Sequence, residues 1–113
     1  MTDAPEDNHG LGQMFSPTDL LSTSLAACVA TIIGIHVNSK DYELISIDAN
    51  IQKKMASQPR RVAAIKIEFV IEVSSVASDQ DLVLLERSGR ACPVAKSIHP
   101  DVLQDLSFTF KRA

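Results

Sequence analysis

The sequence predicts an α+β fold, with helices packed on an antiparallel sheet. Three observations carry that prediction. From Leu20 to Val37 no residue bears a formal charge, and Leu21, Leu25, Cys28, Ile32 and Ile35 recur at helical spacing on one face. Two later stretches, Tyr42 to Met55 and Arg61 to Val73, alternate with a period of two instead. Cys92-Pro93 then opens a new short helical segment, because proline suits a first helical position.

Each element has a local reason. Met1 to Phe15 is polar, with Pro5, Gly10 and Gly12, and reads as an arm or a frayed end in which His9 is a loop residue. The first helix spans roughly Pro17 to Ser39. Ser16 is its N-cap, Pro17 its first residue, and Asp19 stands where a capping box places an acid. Gly34 costs on the order of 1 kcal/mol inside a helix and is tolerable where another backbone packs closely. In the strand that begins at Tyr42, Ile45, Ile47, Ala49 and Ile51 fall on one side. After a connector from Ala56 to Pro59, Ile65, Ile67, Phe69, Ile71 and Val73 point one way while Lys66, Glu68 and Glu72 point the other. The pair reads as an antiparallel hairpin with one wet face. Lys53, Lys54, Arg60 and Arg61 gather at its tip, as a solvated turn or as a positive patch beside a partner. Ser78 or Asp79 caps a second helix whose length Gly89 leaves open. The segment PVAKSI is the short helix, and Leu106 to Lys111 alternates as a last strand.

The totals bound the function. With 113 residues the chain forms one domain, 1–113, whose single core is barely sufficient, so part of its apolar surface is expected against another subunit. A net charge of −3 and the lack of basic runs argue against nucleic acid. The charge-free helix is long enough to cross a membrane, but its Ser, Thr, Gly and His content and its flanks argue for a buried helix of a soluble protein. The acidic start is no secretory signal, which places the chain in the cytosol by default. Cysteines in a reducing compartment are more often reactive or structural thiols than a permanent staple.

Cys28 and Cys92 are the candidate reactive groups. A free thiol is only about 3% thiolate at pH 7. Cys92 looks like an N-cap, beside unpaired N–H groups and with Lys96 one turn on, which would favour the thiolate. Cys28 lies on an apolar face, where burial opposes ionisation, and nothing local supplies a cation. Taken singly, each cysteine also fits a small buried hydrophobe. The spacing of His36 and His99 from the cysteines matches no zinc site, and no GxSxG, HExxH or phosphate-loop motif is present.

The run SPTDLLSTSLAAC, followed by the KKM/PRR hairpin, RACPVAKSI and a terminal strand, resembles the OsmC/Ohr family of thiol-dependent hydroperoxide reductases, over about Thr2 to Phe110. The resemblance implies an intertwined homodimer with central helices sandwiched by sheets and active sites at the subunit interface. It implies that Cys28 is the peroxidatic cysteine, which attacks an organic hydroperoxide, and that Cys92 is the resolving cysteine. It implies no bound cofactor, and an external dithiol, such as a lipoylated protein, as reductant. Two departures stand out. The peroxidase members carry a glutamate ten residues before the first cysteine, where this chain has Thr18, with Asp19 the nearest acid. They also supply an arginine from N-terminal strands that this chain is expected to lack, leaving Arg60 or Arg61 as substitutes. Two functions compete: reduction of organic hydroperoxides, and a non-peroxidatic dimer that holds a small apolar or electrophilic ligand. A third, structural reading makes both cysteines inert.

Overall fold

The structure is a computed structural model that describes Ala4, Gly10, Gly12 and residues 15–113. Most of the expected N-terminal arm, with His9, lies outside the described residues. The element order is α1 (Pro17–Val37), β1 (Leu44–Ala56), β2 (Arg61–Val73), α2 (Asp79–Arg90), α3 (Pro93–Ser97) and β3 (Leu103–Arg112). Both longer helices start on a reciprocal capping box. Ser16 Oγ accepts from Asp19 N–H and Ser16 N–H donates to Asp19 Oδ2, each at 3.1 Å. Ser78 and Asp81 repeat the arrangement at the head of α2, so Ser78 and not Asp79 is that cap.

The sheet has the order β1-β2-β3. The hairpin β1–β2 is antiparallel, as its two alternating stretches predict, but β3 runs parallel to β2, so the sheet is mixed rather than antiparallel throughout. The reason lies in the connection. Residues 74–102 carry α2 and α3 back along the sheet, and a crossover of that length delivers the next strand in the same direction. The last strand also begins three residues earlier than its alternation suggests, at Leu103 paired with Ala64.

Two bulges adjust which side chains face inward. Between Leu44 and Ser46 two residues of β1 oppose one of β2, so Leu44 and Ile47 pack on the core while Ile45, expected beside Ile47, is exposed. At the other end Ala63 is the extra residue on β2, which lets both Val62 and Ile65 be buried. The inward row Ile65, Ile67, Phe69, Ile71 and Val73 is fully buried, as the sequence predicts.

That row forms one core cluster with Leu25, Val29 and Ile33 of α1 and Leu85 of α2. The buried face of α1 is Ser22, Leu25, Ala26, Val29, Ile33 and Val37. It is rotated from the expected stripe: Leu21 and Ile35 face outward, and Cys28 and Ile32 sit at the edge of the core. A helix that is apolar on every side does not advertise its inner face. Here Ser22 and Ala26 set it, being small enough for close approach, with Ser22 Oγ satisfied by Thr18 O at 3.1 Å. The close helix–helix approach falls at Gly89 and not at Gly34. A Cβ on Gly89 would lie 3.1 Å from Ile33 and 3.2 Å from Val29, whereas a Cβ on Gly34 would meet nothing within 4 Å. α2 accordingly continues through Gly89 to Arg90.

By length and composition α1 could cross a membrane, yet a third of its most apolar window is buried within this fold. Its other side is open, with Leu20 and Ile35 exposed by 46% and 60%. The radius of gyration is 16.0 Å, against roughly 13 Å for a compact chain of this size. The single chain does not enclose its own long helix.

Candidate thiol site

Cys28 lies halfway along α1, partly buried at the core's edge. Cys92 is the N-cap of α3, held there by Pro93, and is fully buried. Its Sγ accepts from Ala95 N–H at 3.3 Å. α3 packs along α1, and the two cysteines, 64 residues apart in sequence (92 minus 28), are free thiols near enough for Cys28 to act on the Cys92 thiol.

The activation expected of Cys92 is opposed by its burial. Burial pushes its thiol above the usual 9.0, and the neighbouring Cys28 pushes the same way; the Ala95 N–H opposes them without prevailing. A five-residue helix has little dipole to offer, and a thiolate here would lose its water entirely. Lys96 is exposed to solvent.

The other residues singled out by sequence fall into two groups away from the sulfurs. Thr18 and Asp19, at the head of α1, meet Lys53 of β1. Its Nζ lies 2.6 Å from Asp19 Oδ1 and donates to Thr18 Oγ1 at 2.7 Å and Ser16 Oγ at 3.1 Å. The Lys53 hydrogen bond, followed by that from the Ser16 backbone, lowers the Asp19 carboxyl below its ordinary 3.8. Lys53 therefore leaves the hairpin-tip cluster to which its sequence position assigned it, and Asp19 acts as a helix-start acid with a cationic partner. The signal was present in β1: Lys53 is in phase with Ile51 and Met55, so it points inward and must find an anion or acceptor.

Arg60 remains on the exposed turn between β1 and β2, and Arg61 is the exposed first residue of β2. Arg61 Nη1 donates to the carbonyls of Ser57 and Pro59, at 3.2 and 2.9 Å. Beside Arg61 lies a cavity of about 480 Å³, floored by Leu21, Val62, Ile98 and Val102, with His99 also on its rim. The sequence did not point to this cavity, because its walls come from three segments far apart in the chain. Among the described residues no cluster of His, Cys, Asp or Glu could hold a metal ion.

Comparison with known proteins agrees with this architecture. A family model described as OsmC-like protein matches residues 10–106. Among solved structures, a candidate osmotic-stress-induced and detoxification-response protein from Psychrobacter arcticus superposes with a TM-score of 0.81 at 43% identity, covering 95% of this chain and 77% of its own. An organic hydroperoxide resistance protein OsmC from Legionella pneumophila gives 0.65 at 18% identity, over 95% and 78% of the two chains. The organic hydroperoxide resistance protein OhrB of Bacillus subtilis gives 0.60 at 15%, over 96% and 76%. These last two share the fold. The comparison with curated proteins gave no match. The chain belongs to the OsmC-like family.

Proposed function

We propose that this protein reduces organic hydroperoxides through Cys28 and Cys92, as a homodimer. The observation that carries this reading is that α3 packs along α1 and brings Cys92, sealed in the core, into the neighbourhood of Cys28 at its edge. Their unequal burial supports the division of roles. Cys92, fully buried and kept protonated, is poorly placed to meet a peroxide; Cys28 is the more accessible sulfur. The Cys28 thiolate attacks the outer peroxide oxygen, the O–O bond breaks, and the alkoxide leaves with a proton as the alcohol. Cys28 is then a sulfenic acid. Cys92 Sγ attacks that sulfur, its own proton leaves with the hydroxyl as water, and a disulfide forms. An external dithiol restores both thiols and is itself oxidised to a disulfide. The outward apolar side of α1 and the open Gly34 support the dimer, since a second copy would cover both.

Cumene hydroperoxide consumption with a dithiol reductant tests the reading. Cys28→Ser is expected to abolish it. Cys92→Ser is expected to stop after one equivalent and to accumulate a sulfenic acid that dimedone traps. A Cys28→Ser protein that consumes peroxide as fast as the parent overturns the assignment.

A second reading, a dimer that binds a small apolar or electrophilic ligand without turnover, draws on Thr18. Where the peroxidase members carry a glutamate, this side chain offers only a hydroxyl, already engaged by Lys53. A co-purified adduct on Cys28 in a native mass spectrum, with no peroxidase rate, would favour it.

A further inference from the structure

The cavity beside Arg61 has a composition that neither thiol requires. Its floor is aliphatic, contributed by α1 (Leu21), β2 (Val62) and the segment that follows α3 (Ile98 and Val102). Its volume, about 480 Å³, lies in the range that small-molecule sites occupy. The rim is polar and unequal. Among the described residues Arg61 makes no ion pair, and its hydrogen bonds to the protein come from Nη1 alone. Two carbonyls thus hold the guanidinium while Nε and Nη2 keep their donors for another group. Asp101, the acid on the same rim, is 89% exposed and sits 3.8 Å from His99 Nδ1. Ser97 Oγ is turned away, donating to Pro93 O.

We propose that this cavity is a binding site for a small amphipathic carboxylate, whose acid pairs with Arg61 and whose aliphatic tail lies on Leu21, Val62, Ile98 and Val102. An apolar floor alone would take a neutral hydrocarbon equally well. The fixed guanidinium makes the difference, because its planar fork fits a carboxylate. The site is also coupled to the thiols by position. Leu21 stands seven residues before Cys28 on the same side of α1, about 10 Å along the helix. Ser97 and Ile98 follow the short helix that Cys92 caps. A ligand held here lies beside the elements that carry both sulfurs.

Isothermal titration of the full chain with octanoate, and with octanol as its neutral counterpart, tests the site. Octanoate is expected to bind about tenfold more tightly, about 1.4 kcal/mol. R61Q is expected to bring octanoate to within twofold of octanol, and R61K to restore part of the difference. Leu21→Trp, which fills the floor and keeps the Arg61 guanidinium, is expected to remove binding of both. The proposal is overturned if the parent binds neither probe, if it binds them equally, or if R61Q keeps the preference for octanoate. None of these arms requires turnover. A protein that holds octanoate through Arg61 but consumes no peroxide would remove the function proposed above and leave this site standing.

Discussion

Lys53 Nζ stands 2.6 Å from Asp19 Oδ1 and so ties the middle of β1 to the first turn of α1. A cation at a helix N-terminus faces the positive end of the dipole, and the Asp19 carboxylate compensates for it. Lys53→Met is expected to cost about 0.5–1 kcal/mol, since the pair is partly exposed and screened. The dependence on pH has a definite sign. The Asp19 carboxyl is lowered in the folded state, so its contribution is complete above the ordinary 3.8 and is lost as pH falls through the folded value. Urea midpoints for parent and Lys53→Met should therefore differ at neutral pH and converge well below 3.8.

Tyr42 is 4% exposed, and its hydroxyl is the one buried side-chain polar atom without a hydrogen-bond partner among the described residues. Burial, and then the Asp81 carboxylate, raise its pKa. An unsatisfied buried hydroxyl stabilises nothing, so Tyr42→Phe removes a desolvation cost while keeping the ring. Thermal unfolding should show no loss, and a gain of up to about 1 kcal/mol. A loss of that size would mean the hydroxyl has a partner outside this single chain.

The two helical glycines are expected to respond in opposite directions. At Gly89 a side chain meets Ile33 and Val29 at 3.1–3.2 Å, and Gly89→Val should cost about 1–3 kcal/mol through overpacking. At Gly34 there is open space, and Gly34→Ala should add about 0.5–1 kcal/mol from helix propensity alone. Denaturant titration at low protein concentration checks both signs. A drop for Gly34→Ala that grows with protein concentration would report a second helix packed across that position.

The sequence showed its elements more clearly than their arrangement. Caps at Ser16 and Ser78 and the inward row from Ile65 to Val73 are local patterns, and the structure keeps them. The parallel pairing of β3, the rotation of α1 and the destination of Lys53 depend on groups far away in the chain. No window of residues contains them. The candidate thiol pair was legible for a different reason: each cysteine sits in a recognisable local setting, and the family resemblance joined the two. Its electrostatics were not legible, because the burial of Cys92 comes from packing around it and overrides the N-cap position that sequence alone displays.

That burial makes the two thiols distinguishable before any peroxide is added. Cys28 is partly exposed, and Cys92 is fully buried with its thiol pushed up, chiefly by desolvation. An alkylating reagent such as iodoacetamide requires both access and thiolate, and it leaves a thioether that the second thiol cannot displace. In the folded protein it should titrate Cys28 first, and Cys92 should react only as fast as the structure opens around α3. Cys92→Ala should therefore remove the slow phase and leave the fast one, while Cys28→Ala should do the reverse. In urea sufficient to unfold the chain, both thiols of the parent should react at one rate. The fast phase should survive mild alkali unchanged in amplitude, because raising the pH does not expose Cys92. A parent protein whose two thiols react together under native conditions would show that Cys92 is not sealed, and the division of labour between the two sulfurs would have no structural basis.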